Sequence, residues 1–366
     1  MSILDGGNSG EVRTGGIMSK IAFDSVERTF TILNPQADFK EETHCVVVRR
    51  DPLLGDTSVY NPFLENKARA FFGENDVALI EKLAQESAKT CVFCGDRIEK
   101  STPRYPTELI PSGRIRVDEA LLFPNLFSIG QYHAVVALCR AHFLKLSAYE
   151  PILIENGLMA TQQFLKSVYA RDESALFTTV NANYLFPAGA SLVHPHLQMI
   201  ITPLAYSYHA RMLEACRNYY GTNGSAYHSD LIAEEKKTGV RYIADRGRWS
   251  WLTAYSPMGS NEIMAVHQEE SDFVRMDTDD LRELAYGISK VLALYESLGH
   301  LSFNYTIFSV RQPHHRQGFR CLLKIVNRQN LYANYRNDDY YLQKMLQTEL
   351  IINLPENLAG KMRSMF

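Results

Sequence analysis

Apolar residues recur at three- and four-residue intervals through EPILIENGLMATQQFLKSVYA (150–170) and again through DTDDLRELAYGISKVLALYESL (277–298). That spacing predicts two long amphipathic helices. Short runs of strand character flank each one. CVVVRR from Cys45 and HAVVAL from His133 precede the first helix, and ALFTTVN from Ala175 follows it. A Pro/Gly loop, FPAGAS, then leads into the run carrying VHPHLQ. The second half repeats the order with WSWLTAYS, EIMAVH, the helix, FNYTIFSV and RCLLKIV. The helices end near Ala170 and Leu298, an offset of 128 residues. The repetition predicts an α+β fold built from a duplicated unit, with halves at 41–207 and 208–366. Residues 1–40 read as a flexible leader, because MSILDGGNSGEVRTGGIMSK lacks the apolar core of a signal peptide.

Within VHPHLQ the polar positions interrupt an otherwise apolar run. Alternation along a strand places His194, His196 and Gln198 on one face. Pro195 removes a ladder donor, which predicts an edge or bulged strand. Upstream, Gly189, Ala190 and Ser191 are small enough for backbone amides and a hydroxyl to approach an anion. An imidazole is neutral near pH 7 and a good nucleophile toward phosphorus, and a side-chain amide can bind the non-bridging oxygens. Carried forward by 128, the triplet falls on Leu322, Lys324 and Val326, so the repeat predicts one active site, in the first half.

CVFC holds the one close pair among six cysteines, Cys91 and Cys94, with Gly95 after it to turn the chain. Alone, a CxxC is compatible with redox chemistry, a metal site or coincidence. Structural zinc takes four nitrogen or sulfur ligands, two often from one such knuckle. His142 and His194 are the candidate nitrogen donors, and Cys139 stands close enough in sequence to compete with His142.

Composition narrows the partners. The chain is 46% apolar and 22% charged, with net charge −3 and pI near 6.4. A phosphate-tracking surface needs a basic excess, so nucleic acid is excluded as the expected partner. No run has the length and purity of a membrane span, and the cytoplasm is the expected location.

CVFC, FPNLFS, LCRAH and NANYLFPAGASLVHPHLQMIITP, in that order and spacing, resemble the galactose-1-phosphate uridylyltransferase-like branch of the histidine-triad superfamily. The likeness runs from about Cys45 to the C-terminus and weakens after Tyr208. It implies two histidine-triad-like halves, each an antiparallel sheet with packed helices. It implies that His196 becomes nucleotidylated, that Gln198 binds the phosphoryl oxygens, and that Cys91, Cys94, His142 and His194 hold one structural zinc. Asn125, Asn183, Gly189 and Ser191 match nucleotide-contacting positions, with Lys67 and Arg69 as phosphate contacts. The implied function is nucleotidyl transfer in galactose metabolism, moving NMP, UMP first, between a nucleoside diphosphate sugar and a hexose-1-phosphate. The alternative within the superfamily is an ADP-sugar or dinucleoside polyphosphate phosphorylase, with free phosphate as acceptor. A third reading, from a different class, is a non-catalytic nucleotide-binding regulator; it would have no need of a nucleophile. The likeness also leaves room for a homodimer. This chain departs from relatives with a second metal, because SAYHSD and RCLLKIV carry no cysteine or histidine pair. It also lacks the tail pattern that recognises hexose, leaving Gln347 and Glu349 as substitutes.

Overall fold

Both long helices form, as Pro151–Tyr169 and Thr278–Ser297 in a computed structural model that describes residues 20–65, 67–313 and 318–366. Pro151 opens the first, where its missing N–H costs nothing. A reciprocal capping box between Asp277 and Asp280 opens the second. Among the described residues the strands make two sheets, one of ten and one of four.

The large sheet takes β4 (Ile115–Val117), β5 (Ala120–Pro124), β6 (Tyr132–Ala137), β7 (Phe177–Tyr184) and β8 (His196–Thr202) from the first half. From the second come β9 (Tyr242–Arg246), β10 (Trp249–Thr253), β11 (Ile263–His267), β12 (Phe303–Val310) and β13 (Leu322–Asn327). Their spatial order is β4-β5-β6-β8-β7-β12-β13-β11-β10-β9, so each half has the same antiparallel topology in mirrored sequence. The halves join where β7 pairs with β12 along its whole length. The duplicated α+β unit expected from the sequence is therefore one continuous sheet with a pseudo-two-fold at that seam.

One face of the sheet carries Val180, Ala182, Leu197, Met199, Tyr305, Ile307, Leu323 and Ile325, packed with both long helices in one core. The helices approach closely through glycines. A Cβ on Gly287 would lie 2.0 Å from Trp251 Cζ2, and one on Gly157 2.3 Å from Leu138 Cδ2. The opposite face carries a polar row across four strands. Gln198 pairs with Asn181, Asn181 with Thr306, and Thr306 with Lys324. This row corrects the repeat offset at the site. β8 begins at His196 and β13 at Leu322, an offset of 126, so Leu322 stands for His196 and Lys324 for Gln198. The link from helix to strand is two residues shorter in the second half, which the helix ends alone did not register.

The small sheet runs β1 (Ser25–Asn34), β2 (Lys40–Arg50), β3 (Thr57–Tyr60) and β14 (Thr348–Ile351). It corrects the expected leader over 1–40: residues 25–34 pair with β2 in unbroken antiparallel register, and residues 1–19 lie outside the described residues. β14 pairs parallel to β3, so the C-terminal tail completes a sheet begun near the N-terminus and crosses the division at 207/208. Among the described residues no helix is long and apolar enough to cross a membrane.

Candidate active site

The loop from the end of β7 to β8 turns on two residues of positive φ, Leu185 at 64° and Gly189 at 80°. A Cβ on Gly189 would meet nothing within 4 Å, so the position needs glycine for its conformation and not for close approach. Pro195 sits immediately before β8, and its carbonyl accepts from Leu138 N–H at 3.0 Å. β8 lies between β6 and β7, inside the sheet. The edge strand expected from Pro195 is thus corrected: a proline one residue outside the strand gives up no ladder bond.

His196 is 8% exposed, and its Nδ1 lies 2.8 Å from the carbonyl oxygen of His194. A carbonyl only accepts, so Nδ1 carries the proton and Nε2 keeps its lone pair. Burial lowers the imidazole pKa, with the His194 carbonyl pulling back the other way, so the ring is neutral at pH 7. A neutral ring held by one nitrogen with the other free is the form a nucleophile needs.

Gln198 follows on the same face, half-buried. His133 Nε2 is 2.9 Å from its Oε1, and Asn125 Nδ2 is 3.5 Å from the same oxygen. Its backbone carbonyl accepts from Asn181 Nδ2 at 3.3 Å. With Oε1 engaged, the NH2 group is the end left for a ligand. His133 was invisible to motif reading, where it is simply the first residue of a strand. Its register, opposite Ile200, makes it the diagonal neighbour of Gln198.

The other expected contacts divide. Asn125 lies at Gln198, and its Oδ1 accepts from Phe127 N–H. That bond shapes a loop whose Leu126, Phe127 and Ile129 are 72%, 80% and 68% exposed. Asn183 Oδ1 accepts from Asn304 Nδ2 at 2.7 Å, and Asn304 Oδ1 accepts from Arg328, which pairs with Asp338. Gly189 and Ser191 are exposed in the loop before β8. Lys67 and Arg69 stand apart. Arg69 pairs with Glu74 at 2.7 Å beside a cleft that includes His300 and Asn330, and Lys67 is exposed ahead of the short helix Ala68–Phe72. Among the described residues no hydrogen bond or ion pair joins either to His196 or Gln198.

Cys91, Cys94, His142 and His194 converge, their donor atoms all within 4.8 Å of one another. Each histidine has its tautomer set by its far nitrogen. His194 Nε2 donates to the Cys139 carbonyl at 2.7 Å, which leaves Nδ1 facing Cys94 Sγ at 3.4 Å. Ser87 Oγ donates to the Ala84 carbonyl and so accepts from His142 Nε2, which leaves His142 Nδ1 facing Cys94 Sγ at 3.2 Å. Two thiols and two imidazole lone pairs in a half-buried cluster fit a divalent ion, and the outer hydrogen bonds are those that orient metal-bound histidines. Cys139 does not compete: its thiol turns to the Ala141 carbonyl. The knuckle packs on the open face through Cys91 and Phe93 against Val135 and Ala137, the cross-strand partners of Gln198 and His196.

Beyond the seam the same face opens into a cavity of about 300 Å³ bounded by Asn304, Thr306, Lys324, Arg328, Asp338 and Glu349. A second space of about 240 Å³ adjoins it and includes Gln347. Burial raises the Glu349 carboxyl to about 7, against hydrogen bonds from Gln343 and the Leu350 amide. Three strand spacings of about 4.8 Å put Lys324 roughly 14 Å from Gln198 along the row.

No family model matches the chain. An uncharacterised protein of Archaeoglobus fulgidus is 29% identical over 330 residues, 89% of this chain and 94% of its own length. An ADP-glucose phosphorylase from Arabidopsis thaliana, solved with bound ADP-glucose, aligns with TM-score 0.66 at 19% identity, over 87% of this chain and 98% of that one. A uridylyltransferase structure aligns with TM-score 0.59 at 16% identity, over 68% and 85%. The chain shares the fold of the ADP-glucose phosphorylase over most of its length and that of the uridylyltransferase over about two thirds, in agreement with the fold that the sequence motifs imply.

Proposed function

We propose that this protein is a nucleotidyltransferase that moves NMP, UMP as first expectation, between a nucleoside diphosphate sugar and a hexose-1-phosphate. The observation that carries the reading is the state of His196: a buried neutral imidazole, its Nδ1–H on the His194 carbonyl and its Nε2 free, beside an amide donor. In the first step Nε2 attacks the α-phosphorus, the bond to the bridging oxygen breaks, and sugar-1-phosphate leaves. The imidazole gains positive character as the P–N bond forms, and the Nδ1–H bond to the carbonyl stabilises it. Gln198 donates to a non-bridging oxygen as charge builds there. In the second step an oxygen of the acceptor phosphate attacks the same phosphorus, and the P–N bond returns its electron pair to Nε2.

Cys91, Cys94, His142 and His194 would hold one zinc ion, whose contribution is structural. Held there, it would tie the knuckle to His194, the residue whose carbonyl holds His196. The cavity with Asn304, Arg328, Asp338 and Glu349 is the space for the hexose of the acceptor. A cytoplasmic homodimer in galactose metabolism completes the reading, and light scattering tests its assembly.

A second reading is supported by the fold likeness to the ADP-glucose phosphorylase. There the acceptor is inorganic phosphate and the donor an ADP-sugar. One experiment addresses both readings. The protein is incubated with UDP-glucose, ADP-glucose and diadenosine polyphosphate, and intact mass is read for an acid-labile NMP adduct. The adduct mass names the base, and a chase with glucose-1-phosphate or phosphate names the acceptor. No adduct from any donor refutes both and leaves the non-catalytic regulator, and an adduct that survives His196→Ala refutes His196 as the nucleophile in either.

A further inference from the structure

His133 is 5% exposed and makes three contacts that together settle its tautomer. Ile129 N–H donates to Nδ1 at 3.3 Å, so Nδ1 is an acceptor and bears no proton. Burial lowers the ring pKa against the hydrogen bond to Gln198, so the ring is neutral and its one proton sits on Nε2. Nε2 stands 2.9 Å from Gln198 Oε1 and donates to it. Asn125 Nδ2 lies 3.2 Å from the same nitrogen and 3.5 Å from the same oxygen, and with Nε2 protonated its hydrogen goes to the oxygen. Reversing the Gln198 amide would turn its NH2 group against two donors. An unmade bond of that kind costs enough to disfavour the reversed amide about ten- to hundred-fold.

We propose that His133 is a positioning residue that fixes the Gln198 amide with its NH2 group toward the substrate phosphate. The inference rests on the nucleotidyl-transfer reading for its catalytic consequence, and on the hydrogen-bond chain from Ile129 through His133 to Gln198 for its geometry. Half of a freely rotating amide population would present an oxygen to the phosphoryl oxygen, and that repulsion would be felt most as charge develops. His133 therefore acts on the chemical step through Gln198 without touching the substrate.

The test compares His133→Phe, which keeps a ring but no donor, with His133→Gln, which returns an amide donor at similar reach. Each is made in the wild-type protein and in Gln198→Ala. The readouts are the single-turnover rate of His196 nucleotidylation by UDP-glucose or ADP-glucose and the Kd of that donor. His133→Phe is expected to slow labelling about two-fold, the share lost when the amide population divides evenly, with Kd unchanged, and His133→Gln to restore most of the loss. In the Gln198→Ala background His133→Phe should leave the rate unchanged, since the group it acts through is gone. An equal loss in both backgrounds, or none in the wild type, overturns the proposal. Nitrogen NMR of the histidine rings and the side-chain amide protons decides the geometry even if no donor labels the protein. Protonated Nε2 on His133, and a Gln198 amide that shifts or broadens in His133→Phe, support it. Protonated Nδ1 refutes it, whereas absence of labelling alone refutes only the nucleotidyl-transfer reading.

Discussion

Replacing Gln198 by glutamate exchanges one NH2 group for one oxygen and leaves the length of the side chain unchanged. His133 and Asn125 would still donate to one carboxylate oxygen, at the positions where they now meet Oε1. The other oxygen would face the phosphate. Two penalties then add. A hydrogen bond to a charged group is lost, about 2 kcal/mol. A like charge about 4 Å from the phosphoryl group adds about 4 kcal/mol at an effective dielectric of about 20. The sum, about 6 kcal/mol, is roughly a ten-thousand-fold slower nucleotidylation. Gln198→Ala suffers the first penalty alone and should slow the step by about thirty- to a hundred-fold. The distinguishing measurement is the single-turnover rate of adduct formation for both variants across pH. Protonating the introduced carboxyl restores a donor and removes the charge. The glutamate variant should therefore recover relative to alanine as pH falls. Equal rates for the two variants at every pH would show that residue 198 does not face the phosphate and would refute the reasoning.

Three further outcomes follow from particular contacts. Cys91→Ser should release the bound metal, expected near one zinc per chain by elemental analysis, and lower the unfolding temperature; full metal retention would contradict the proposed ligands. Gly287→Ala should destabilise by about 1–3 kcal/mol in urea unfolding despite the better helix former, because the new Cβ would lie 2.0 Å from the buried Trp251 ring. Glu349 has a folded-state value of about 7 against an ordinary 4.5, so the native state holds its proton more tightly. Its contribution is present below pH 4.5 and lost as pH rises through about 7. Glu349→Gln should gain on the wild type between pH 5 and 8 by up to about 3 kcal/mol, and a gap independent of pH would contradict the buried neutral carboxyl.

The fold was legible where periodicity and order are strong. The two long helices, the strands around them and the repeat were all readable, because burial against a common core imposes a pattern on each. β1 was not, because its residues lie almost entirely exposed at a sheet edge and carry no apolar run. The cysteine–histidine cluster was readable because CxxC spacing places two donor groups together covalently and the strand motif supplies a third. His133 needed the pairing of β6 with β8, a register no local pattern contains. Arg69 illustrates the reverse: the sequence offered a cation for the phosphate, and a short-range carboxylate, Glu74, takes it first.

Under the proposed nucleotidyl transfer, the two halves of the sheet differ in what their equivalent strands offer a substrate. At the ends of the row Gln198–Asn181–Thr306–Lys324, equivalent strands present an amide and an ammonium. An ammonium on the face proposed to bind phosphate suggests a second anion site, but Lys324 is already neutralised. Its Nζ is 2.8 Å from Glu262 Oε1, in a pair 12% and 0% exposed, and the other Glu262 oxygen accepts from the Met258 amide. Burial pulls the lysine pKa down, and Glu262, Tyr208 and Asp51 outweigh it and raise it, so the charge stays on and stays paired. Leu322, where the first half has His196, offers no lone pair. In the same cavity Arg328 is paired with Asp338 and Glu349 keeps its proton up to about pH 7, so both add hydrogen-bonding groups and no unpaired cation. A phosphate is thus favoured over the first half and disfavoured over the second, and hydrogen-bonding neutral groups are favoured over the second. For the proposed nucleotide-sugar substrate, that asymmetry predicts the nucleotide over β8 and its partner group toward β13.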